Sequence, residues 1–527
     1  MSFQYLVVGD TNNIIDYIYA TTKYKHIRGA SIILDKLNLS TTQTLAENHN
    51  GEILSASGGE FRVLFQDEKA AEKFNKELRK SYLEATDDVT ISSTIVSRKE
   101  NEPMGLWVKR AESDLRLYEV AEGKKQFHTI PSAPIFKQCE SCYKKAAVTK
   151  VDTIDEGKLF YCNSCKHKEV MVRDVIKGIK DKDQAFVNSL TAVHKELIER
   201  DKNKESKWIK KVSHLLSGDY TDNYIGFIYM DGRNVGTLFR KVLLDETLSD
   251  EEFIKRYTEV SQGLYNCVVE AAVKTAQDFE NLECYVDYAM LGGDDFAAIM
   301  TGRYAVPYTN RLITYFEELT KETFKKYEVE VQMAAGVVIA KSSYPVHRLF
   351  EMSYDLMSYT KERNEGSCLD FIVITDSTVQ SVYSMKEQRS FGENHDKLYK
   401  RQLRTNGYSV NENKTALSYE NLERTILQLK NQGFPRFKIK EVYDILLERD
   451  QKVMEYRWLL WRSRLGKGRN QTEDKRILTS ILDEWNVNFA HTPFAFTKGD
   501  IEVSPLLDLF DLYDFIEEQS PVKKDDE

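Results

Sequence analysis

Short apolar runs alternate with stretches of helical periodicity, and the same order recurs in the two halves of the chain. Near the N-terminus, the apolar run FQYLVVGD (Phe3 to Asp10) predicts a strand that ends in a carboxylate. A helical stretch then reaches about Leu37. It is followed by EILSAS, the dipeptide Gly58-Gly59, EFRVLF, the charged amphipathic segment DEKAAEKFNKELRKSYLEA and the strand-like DVTISSTIV. This region therefore predicts the order β-α-β-β-α-β.

The second copy begins with YIGFIYMD (Tyr224 to Asp231), again a strand that ends in a carboxylate. The next helix starts at a capping box, Ser249-x-x-Glu252, in which each residue satisfies a free backbone N–H of the other. The strands ECYVDYAML and FAAIM flank the tetrapeptide GGDD at residues 292–295. A helix and the strand VEVQMAAGVVIA complete the unit, a further helix leads to Lys361, and CLDFIVIT adds one more strand.

Both copies predict a split βαβ, ferredoxin-like sheet with a glycine-tipped hairpin at its centre. We therefore predict an α+β protein with two ferredoxin-like (βαββαβ) palm domains, a zinc-binding insert and a helical C-terminal domain. The predicted bounds are 1–125 for a degenerate N-terminal palm, 126–215 for the zinc-binding and helical insert, 216–380 for the catalytic GGDD palm and 381–527 for the helical domain.

Composition narrows the functional classes. The 527 residues include 74 basic and 83 acidic side chains, a formal charge of -9 that argues against a protein whose whole surface binds nucleic acid. With 9 Pro and 25 Gly, the chain is not of a disordered type. No apolar window is long enough for a membrane span, and the N-terminus does not resemble a secretion signal. We expect a cytoplasmic protein without membrane contact.

Two CxxC pairs lie in the predicted insert, Cys139-x-x-Cys142 and Cys162-x-x-Cys165. Each pair can direct two thiolates at one ion, and four sulfurs form the closed tetrahedral site of structural zinc. The alternatives are a redox pair or chance spacing. The other three cysteines, Cys267, Cys284 and Cys368, lie in apolar segments and are predicted to be buried thiols.

The GGDD tetrapeptide has the residue types that phosphoryl transfer requires. Gly292 and Gly293 let the backbone turn tightly and leave room for a triphosphate. Asp294 and Asp295 can hold divalent cations, and Asp231 supplies a third carboxylate from the neighbouring strand end. Two such ions can activate an attacking hydroxyl and stabilise a leaving pyrophosphate. The alternative is an ordinary acidic turn, since Gly and Asp both favour turns.

The segment MDGRNVG after the strand predicts a nucleotide loop. Gly232 and Gly236 would let the backbone approach a ligand, and Asn234 offers an uncharged hydrogen-bonding group. Lys361 could neutralise a β- or γ-phosphate as a point charge. The alternatives are a plain strand-to-helix turn and a solvated lysine at a helix end.

The N-terminal copy is predicted to be catalytically degenerate. Asp10 matches Asp231 by position in the repeat, but Gly58-Gly59-Glu60-Phe61 offers one carboxylate where the second copy has two. A single acid is a poorer platform for two metal ions, so this copy would serve structure or bind a second nucleotide without chemistry.

The stretch from Lys452 to Arg476 combines cations with Trp458 and Trp461. Cations interleaved with aromatic residues suit an RNA backbone or a partner subunit. The alternative is an amphipathic helix whose tryptophans face the core while its arginines are solvated.

Together these motifs resemble the large polymerase–cyclase subunit of type III CRISPR effector complexes, and the second half is similar to the palm of GGDEF-type nucleotide cyclases. The resemblance rests on GDTNNIIDYI…IRGAS with the SGGEF hairpin, the cysteine insert, DGRNVG, GGDD, GVVIAKSSYPVHRLFEMSYDLMSYTK and FPRFKIKEVYDIL, over roughly residues 3 to 450. It implies guide-RNA ribonucleoprotein subunits and target RNA as partners. Many members of this family begin with an HD nuclease domain, whereas here the palm repeat starts at residue 3 and His395-Asp396 has no partner cluster, so DNA cleavage is not expected.

The predicted function is that of a nucleotidyltransferase that converts ATP to cyclic oligoadenylate in antiviral defence. Asp231, Asp294 and Asp295 would hold two Mg²⁺ or Mn²⁺ ions, and Gly232, Asn234, Gly236, Gly292, Gly293 and Lys361 would bind nucleotide. The alternatives are a CRISPR-independent cyclic nucleotide synthase of the same palm family, a dinucleotide cyclase, and a non-catalytic scaffold of an RNA-guided complex.

Overall fold

The computed structural model describes residues 3–21, 23–122, 137–153, 156–181, 223–279, 286–375, 381–386, 389–394, 397–402, 404–410, 417–434, 436–448, 450–464, 496–498 and 501–517. These residues form a mixed α and β protein with four sheets. Within this part of the chain, every helix is too short or too polar to cross a membrane.

The N-terminal region contains the predicted β-α-β-β-α-β order. Its elements are β1 (Tyr5–Asn12), α1 (Ile14–Ile18), α2 (Tyr24–Lys36), α3 (Thr42–Asn48), β2 (Glu52–Ser57), β3 (Glu60–Phe65), α4 (Glu68–Thr86), β4 (Thr90–Ser97) and α5 (Met104–Glu122). The strands form an antiparallel sheet of order β2-β3-β1-β4, which puts β1 between β3 and β4. We refer to this unit as the first palm.

Helix α4 illustrates why these segments fold as the pattern predicts. The Asp67 side chain accepts a hydrogen bond from the Ala70 N–H at 2.9 Å and caps the first turn. Phe74 and Leu78, one helical turn apart, are fully buried on the sheet side. The left-handed conformation of Asp87 ends the helix.

The cysteine-containing insert is a β-hairpin followed by a helix: β5 (Thr149–Thr153), β6 (Gly157–Tyr161) and α6 (Asn163–Asp181). Helix α6 packs directly on α2 of the first palm. A Cβ atom at Gly29 of α2 would come close to the Lys168 carbonyl oxygen, 2.5 Å away, so only glycine permits this approach of the two helices.

The second copy has the same strand order and extends it. Its elements are β7 (Tyr224–Arg233), α7 (Val235–Leu243), α8 (Asp250–Asp278), β8 (Val286–Gly292), β9 (Asp295–Thr301), α9 (Gly302–Thr323), β10 (Gln332–Lys341), α10 (Val346–Arg363) and β11 (Cys368–Ile374). With a short strand from the C-terminal region, β14 (Tyr408–Ser409), the sheet order is β14-β11-β10-β7-β9-β8, with β11 parallel to β10 and antiparallel pairs elsewhere. The predicted capping box of Ser249 and Glu252 is present at the start of α8. We refer to this unit as the second palm.

Alternate residues of β7 face two different cores. Ile228 and Met230 pack with residues of α8 and α9, whereas Phe227 and Tyr229 pack in a cluster that also contains the core of the first palm. The sheet of the second palm is therefore covered on both faces, and residues of the first palm take part in both clusters.

The C-terminal region was predicted to be helical, and this is only partly correct. Its elements are α11 (Val382–Lys386), β12 (Arg389–Asn394), β13 (Lys397–Gln402), β14 (Tyr408–Ser409), α12 (Tyr419–Asn431), α13 (Arg436–Leu446), α14 (Gln451–Arg464), β15 (Phe496–Lys498), β16 (Ile501–Val503) and α15 (Leu506–Tyr513). Four of its strands form a sheet of order β12-β13-β16-β15, and β14 joins the second palm. The strands of this sheet are short and rich in polar residues, so they lack the apolar alternation that marks a strand in sequence.

Candidate active site and cysteine cluster

The GGDD tetrapeptide forms the turn between β8 and β9, which we call the second tip (residues 292–295). Gly293 has a φ of 59°, a left-handed conformation that glycine adopts without a Cβ penalty. This turn brings Asp294 to the end of the hairpin and starts β9 at Asp295, as the motif predicted.

The two palms meet at their hairpin tips. A Cβ atom at Gly292 would lie 2.7 Å from the Cα atom of Gly58, a distance that real Cβ contacts do not show. Gly58 belongs to the turn between β2 and β3, which we call the first tip (residues 57–60). The contact is thus between two backbones, and it needs glycine at position 292.

Strand register corrects the sequence alignment of the two tips. In the first palm, Glu60 lies opposite both Asp10 of β1 and Ser57 of β2. In the second palm, Asp295 lies opposite Gly292 of β8 in the same way. Glu60 therefore corresponds to Asp295, whereas matching the two glycine pairs in sequence would align Glu60 with Asp294.

The same register places Asp231 beside the second tip. Met230 lies opposite Phe296 across β7 and β9, as Gly9 lies opposite Phe61 in the first palm. The residue that follows Met230 is Asp231, so it corresponds to Asp10, as predicted from the repeat. The residue of the first tip that corresponds to Asp294 is then Gly59, which has no carboxylate.

Lys361 pairs with Asp231. Its Nζ contacts the Asp231 carboxylate and donates a hydrogen bond to the Gly232 carbonyl oxygen at 2.8 Å. The guanidinium of Arg233 donates to the carbonyl oxygen of Lys361 and so holds the end of α10 against β7. The predicted phosphate-binding lysine lies within the site, where its charge is offset by one of the three carboxylates.

Burial and mutual repulsion perturb the other two carboxyl groups. Burial, followed by the charge of Asp231, raises the pKa of Asp294 to about 6. Burial, followed by the charges of Asp294 and Asp231, raises the pKa of Asp295 to about 8. A hydrogen bond of 3.2 Å that the Tyr229 hydroxyl donates to Asp295 acts in the opposite direction and lowers this pKa. The site thus concentrates negative charge that a bound cation would relieve.

The loop of residues 231–236 packs tightly on the second tip at one end and is open at the other. A Cβ atom at Gly232 would lie 2.7 Å from the Asp294 Cβ, so glycine is required there. Asn234 has a φ of 64° and donates from its side chain to the Glu330 carbonyl oxygen at 3.0 Å, which ties the loop to the start of β10. A Cβ atom at Gly236 would meet no atom within 4 Å.

Two cavities flank this loop. One of about 540 Å³ lies between the palms and is lined by both tips, by α5, by α7 and by α8. The other, of about 600 Å³, lies on the far side of the loop and contains Asp231, Gly232, Asn234 and Lys361. Asp294 and Gly236 line both cavities. All nine predicted catalytic and nucleotide-binding residues therefore line one or both of these cavities.

The cavity between the palms also has charged walls that the sequence did not indicate. The residues concerned are Arg62, Lys109, Glu112, Arg116 and Arg240. Arg62 pairs with Glu60 at 2.9 Å and with Glu112 at 2.8 Å. These side chains come from three separate elements and carry no shared motif, so only the tertiary structure reveals them as neighbours.

The four predicted zinc ligands converge. Among the described residues, Cys139, Cys142, Cys162 and Cys165 form the one group of potential metal ligands whose donor atoms all lie within 4.8 Å of one another, and all four are buried. Four thiol sulfurs at such spacing fit one zinc ion and leave no open ligand position. The three aspartates are grouped less tightly, and one of them is paired with Lys361.

Two further sequence predictions can be followed in the structure. Cys267 and Cys368 are buried, as expected, and Cys284 lies outside the described residues, as does His395-Asp396. In α14, Trp458 and Trp461 are buried and stacked with ring centroids 5.1 Å apart. The tryptophans thus face the core, as the amphipathic-helix alternative predicted; residues 465–476 of the basic stretch lie outside the described part.

Comparisons with known proteins agree with this geometry. Residues 224–367 match the family model of the Cas10/Cmr2 second palm domain. A search of the curated proteins found no match.

Solved structures match over nearly the whole chain. They include a Csm1–Csm4 cassette in complex with pppApA (12% identity, TM-score 0.54), one with cA3 (13%, 0.52) and one with a single ATP (14%, 0.52). Each alignment covers 98% of this chain and 69% of the other. At these identities the likeness shows a shared fold. Together with the family match, it confirms the resemblance to the large subunit of type III CRISPR complexes.

Proposed function

Because residues 224–367 match the Cas10/Cmr2 second palm domain, we propose that the chain is the polymerase–cyclase subunit of a type III CRISPR effector complex. Its two β-α-β-β-α-β units would be ferredoxin-like palms, and its reaction would convert ATP to cyclic oligoadenylate. The observation that supports this most strongly is the position of Asp231, Asp294 and Asp295 beside cavities that the two palms and the 231–236 loop enclose. The structures with similar folds were solved with ATP, pppApA and cA3.

The proposed reaction joins two nucleotides at the second tip. The 3′-hydroxyl oxygen of one nucleotide attacks the α-phosphorus of the other, a new P–O bond forms, and the bond from the α-phosphorus to the bridging oxygen breaks. Pyrophosphate leaves with that electron pair, and the hydroxyl releases its proton to solvent. A final intramolecular attack of the same kind closes the ring.

The carboxyl groups fit divalent cations. All three are oxygen ligands, the type that Mg²⁺ and Mn²⁺ prefer. The raised pKa values of Asp294 and Asp295 arise from burial and like charge, which a cation would offset. Bound at Asp231, Asp294 and Asp295, such ions would supply positive charge to the attacking oxygen and the leaving pyrophosphate.

The remaining residues position the substrates. Gly236 leaves open space through which a phosphate can approach the backbone, since even a Cβ atom there would meet nothing within 4 Å. Lys361 would exchange its contact with Asp231 for a contact with a phosphate when a cation occupies the carboxylates. Gly292, Gly293, Gly232 and Asn234 hold the two loops in place. The first palm forms the opposite wall of the cavity, where a second nucleotide would bind without chemistry.

Partners follow from the same proposal. Guide-RNA ribonucleoprotein subunits would carry the chain, and target RNA would activate it in the cytoplasm as part of antiviral defence. The zinc ion of the cysteine cluster would be structural, because its four sulfurs leave no open position for chemistry.

Product analysis of the purified chain tests this proposal. The protein is incubated with each nucleoside triphosphate and Mg²⁺ or Mn²⁺, with and without the guide-RNA complex and target RNA, and the products are identified by mass spectrometry. We expect cyclic oligoadenylate from ATP, with RNA-dependent turnover. Turnover that ignores RNA would favour a CRISPR-independent synthase, a cyclic dinucleotide alone would favour a GGDEF-type cyclase, and no product under any condition would favour a scaffold.

A further inference from the structure

We propose that helix α2 of the first palm couples the cysteine cluster to the second tip, with Asp287 of β8 as the positioning residue at the end of this connection. The inference rests on the proposed function, because it concerns how that site is held in shape. It also gives the first palm and the zinc-binding insert a role in a reaction whose three carboxylates all lie in the second palm. The connection consists of buried contacts among three segments: the cysteine-containing insert, α2 and β8.

The connection begins at the cysteine cluster. The His26 ring lies fully buried, with Nδ1 2.7 Å from the Ser141 hydroxyl and Nε2 2.7 Å from the Glu169 carboxylate. Ser141 stands between Cys139 and Cys142, and Glu169 lies one helical turn after Cys165 on α6. Both partners of the imidazole thus belong to segments that carry zinc ligands.

Helix α2 contacts the insert over one side. Lys25 lies 3.2 Å from the Glu169 carboxylate, and both side chains are almost fully buried. The adjacent turn packs its Gly29 against the backbone of α6 at Lys168, which leaves no room for a side chain. Since helices in such contact move together, a shift of α6 relative to the first palm would carry α2 with it.

The other side of α2 reaches the second palm. Tyr24 and Arg28 are four residues apart and so share one face of the helix. Both contact Asp287: the Tyr24 hydroxyl donates to Oδ2, and the Arg28 Nε lies 3.0 Å from Oδ1. Asp287 is fully buried near the start of β8, the strand that ends at the second tip.

Strand β8 depends on its contact with α2 because β8 lies at the edge of its sheet. It is the last strand in the order β14-β11-β10-β7-β9-β8, so β9 is its one neighbour in that sheet. The first palm supports it at both ends, through Tyr24 and Arg28 at Asp287 and through Gly58 at Gly292. The position of Asp294 relative to Asp231 therefore depends on contacts outside the second palm.

A buried ion pair is well suited to fixing a position. It adds little net stability compared with an apolar pair of the same shape, but removing one partner leaves an uncompensated buried charge. The Asp287–Arg28 pair thus penalises any displacement of β8 from α2. This explains why a palm without a complete set of acids retains a specific contact with the palm that has one.

The test measures cation binding, which needs no turnover. Mn²⁺ affinity is determined by electron paramagnetic resonance on the full chain with zinc bound, for wild type, Asp287→Asn, Ser141→Ala and the double variant. We expect each single substitution to weaken Mn²⁺ binding on the order of ten-fold. The double variant should bind Mn²⁺ no more weakly than the single variant that binds it less tightly, because the two substitutions act through the same helix.

Asp250→Asn is the matched control. Asp250 at the start of α8 forms an ion pair with Arg98 after β4, so it also joins the two halves of the chain, but it contacts no residue of the tips. This variant should bind Mn²⁺ like wild type. Zinc content is measured for every variant, so that loss of zinc is separated from loss of the contact.

Tyr24→Phe keeps the proposal testable if Asp287→Asn does not fold. It removes one hydroxyl and keeps the Asp287–Arg28 pair, and we expect a smaller loss of Mn²⁺ affinity. The coupling would be overturned if Asp287→Asn and Tyr24→Phe both bound Mn²⁺ as tightly as wild type. It would also be overturned if the affinity losses of Asp287→Asn and Ser141→Ala multiplied in the double variant.

A turnover assay separates this inference from the proposed reaction. If ATP is converted, Asp287→Asn should lower kcat and leave KM for ATP unchanged, since Asp287 positions the metal-binding carboxylates and lines neither cavity. If no nucleotide is converted but Mn²⁺ affinity follows the predicted pattern, the coupling holds and the proposed reaction is wrong. Failure of wild type to bind Mn²⁺ at the second tip overturns both.

Discussion

The two hairpin tips have the same strand register but differ in the acidic residues they carry and in the burial of those residues. Asp10 and Glu60 of the first palm stand where Asp231 and Asp295 stand in the second, and Gly59 stands where Asp294 does. The Glu60 side chain is 57% exposed and pairs with Arg62, whereas Asp295 is largely buried and its pKa is raised to about 8. A shared backbone therefore supports a concentrated negative site in one palm and a neutralised, solvent-facing acid in the other.

The first tip is also closed to a third carboxylate by its own packing. Gly59 has a φ of 94°, and a Cβ atom there would overlap the Ile14 side chain of α1. Thr11 donates to the Gly59 carbonyl oxygen from its N–H at 3.0 Å and from its hydroxyl at 2.7 Å. The proposed degeneracy of this palm would thus involve its backbone as well as the loss of a side chain.

The largest predicted effect is loss of product on removing both acids of the second tip. Asp294→Ala together with Asp295→Ala should lower turnover by on the order of 10²–10³-fold or more, because charge stabilisation of the transition state is lost. The melting temperature of the metal-free protein should not fall, since the substitutions relieve repulsion. Product formation and thermal melts on the same preparation check this, and wild-type turnover would disprove the assignment.

The contact between the tips should be sensitive to a single methyl group. Gly292→Ala places a Cβ against the Gly58 backbone, so the second tip must shift and turnover should fall roughly ten-fold. Gly236→Ala is the matched control, because its Cβ meets no protein atom within 4 Å; it should melt like wild type. Because Gly236 is proposed to face the nucleotide, Gly236→Ala should raise KM for ATP, whereas Gly292→Ala should lower turnover.

We expect the metal-bound cysteine cluster of the insert to stabilise the folded protein. Metal analysis of protein purified without chelator should give about one zinc per chain, as expected for four thiolate ligands. Cys139→Ser should lower the melting temperature by several degrees, because it opens a buried site. A chain with no zinc, or a variant with unchanged melting, would contradict this prediction.

The last predicted effect is a difference in pH dependence. In the folded, metal-free protein, Asp294 and Asp295 keep protons that the unfolded chain has released, with pKa values of about 6 and about 8. The free energy of unfolding should therefore fall as the pH rises from about 4 to about 8. Urea unfolding at several pH values should show a flatter profile for the Asp294→Asn, Asp295→Asn double variant, and a profile as steep as that of wild type would contradict this prediction.

Local signals in the sequence were sufficient for much of this architecture. Apolar periodicity predicted both β-α-β-β-α-β units, and short motifs predicted the second tip and the four-thiol cluster, because each depends on residues close together in the chain. Asp10 and Asp231 were matched correctly because both follow the first apolar run of their unit, although the strands do not end there as predicted but continue to Asn12 and Arg233.

Features that depend on distant contacts were not predicted. The counterpart of Glu60 is Asp295, and this match follows from strand register, which is set by pairing along whole strands. The meeting of Gly58 with Gly292 joins residues from different palms, and no motif marks it. The C-terminal sheet was missed because its strands are short and polar.

The most direct test of the central claim compares the two matched aspartates. Asp231→Ala and Asp10→Ala are assayed in parallel for ATP turnover and Mn²⁺ binding, with thermal melts to establish that both are folded. Asp231→Ala should abolish turnover and weaken Mn²⁺ binding, since it removes one ligand of the proposed two-ion site. Asp10→Ala should lower turnover at most several-fold and bind Mn²⁺ like wild type. Equal loss in two equally folded variants would show that the first palm contributes to catalysis as much as the second.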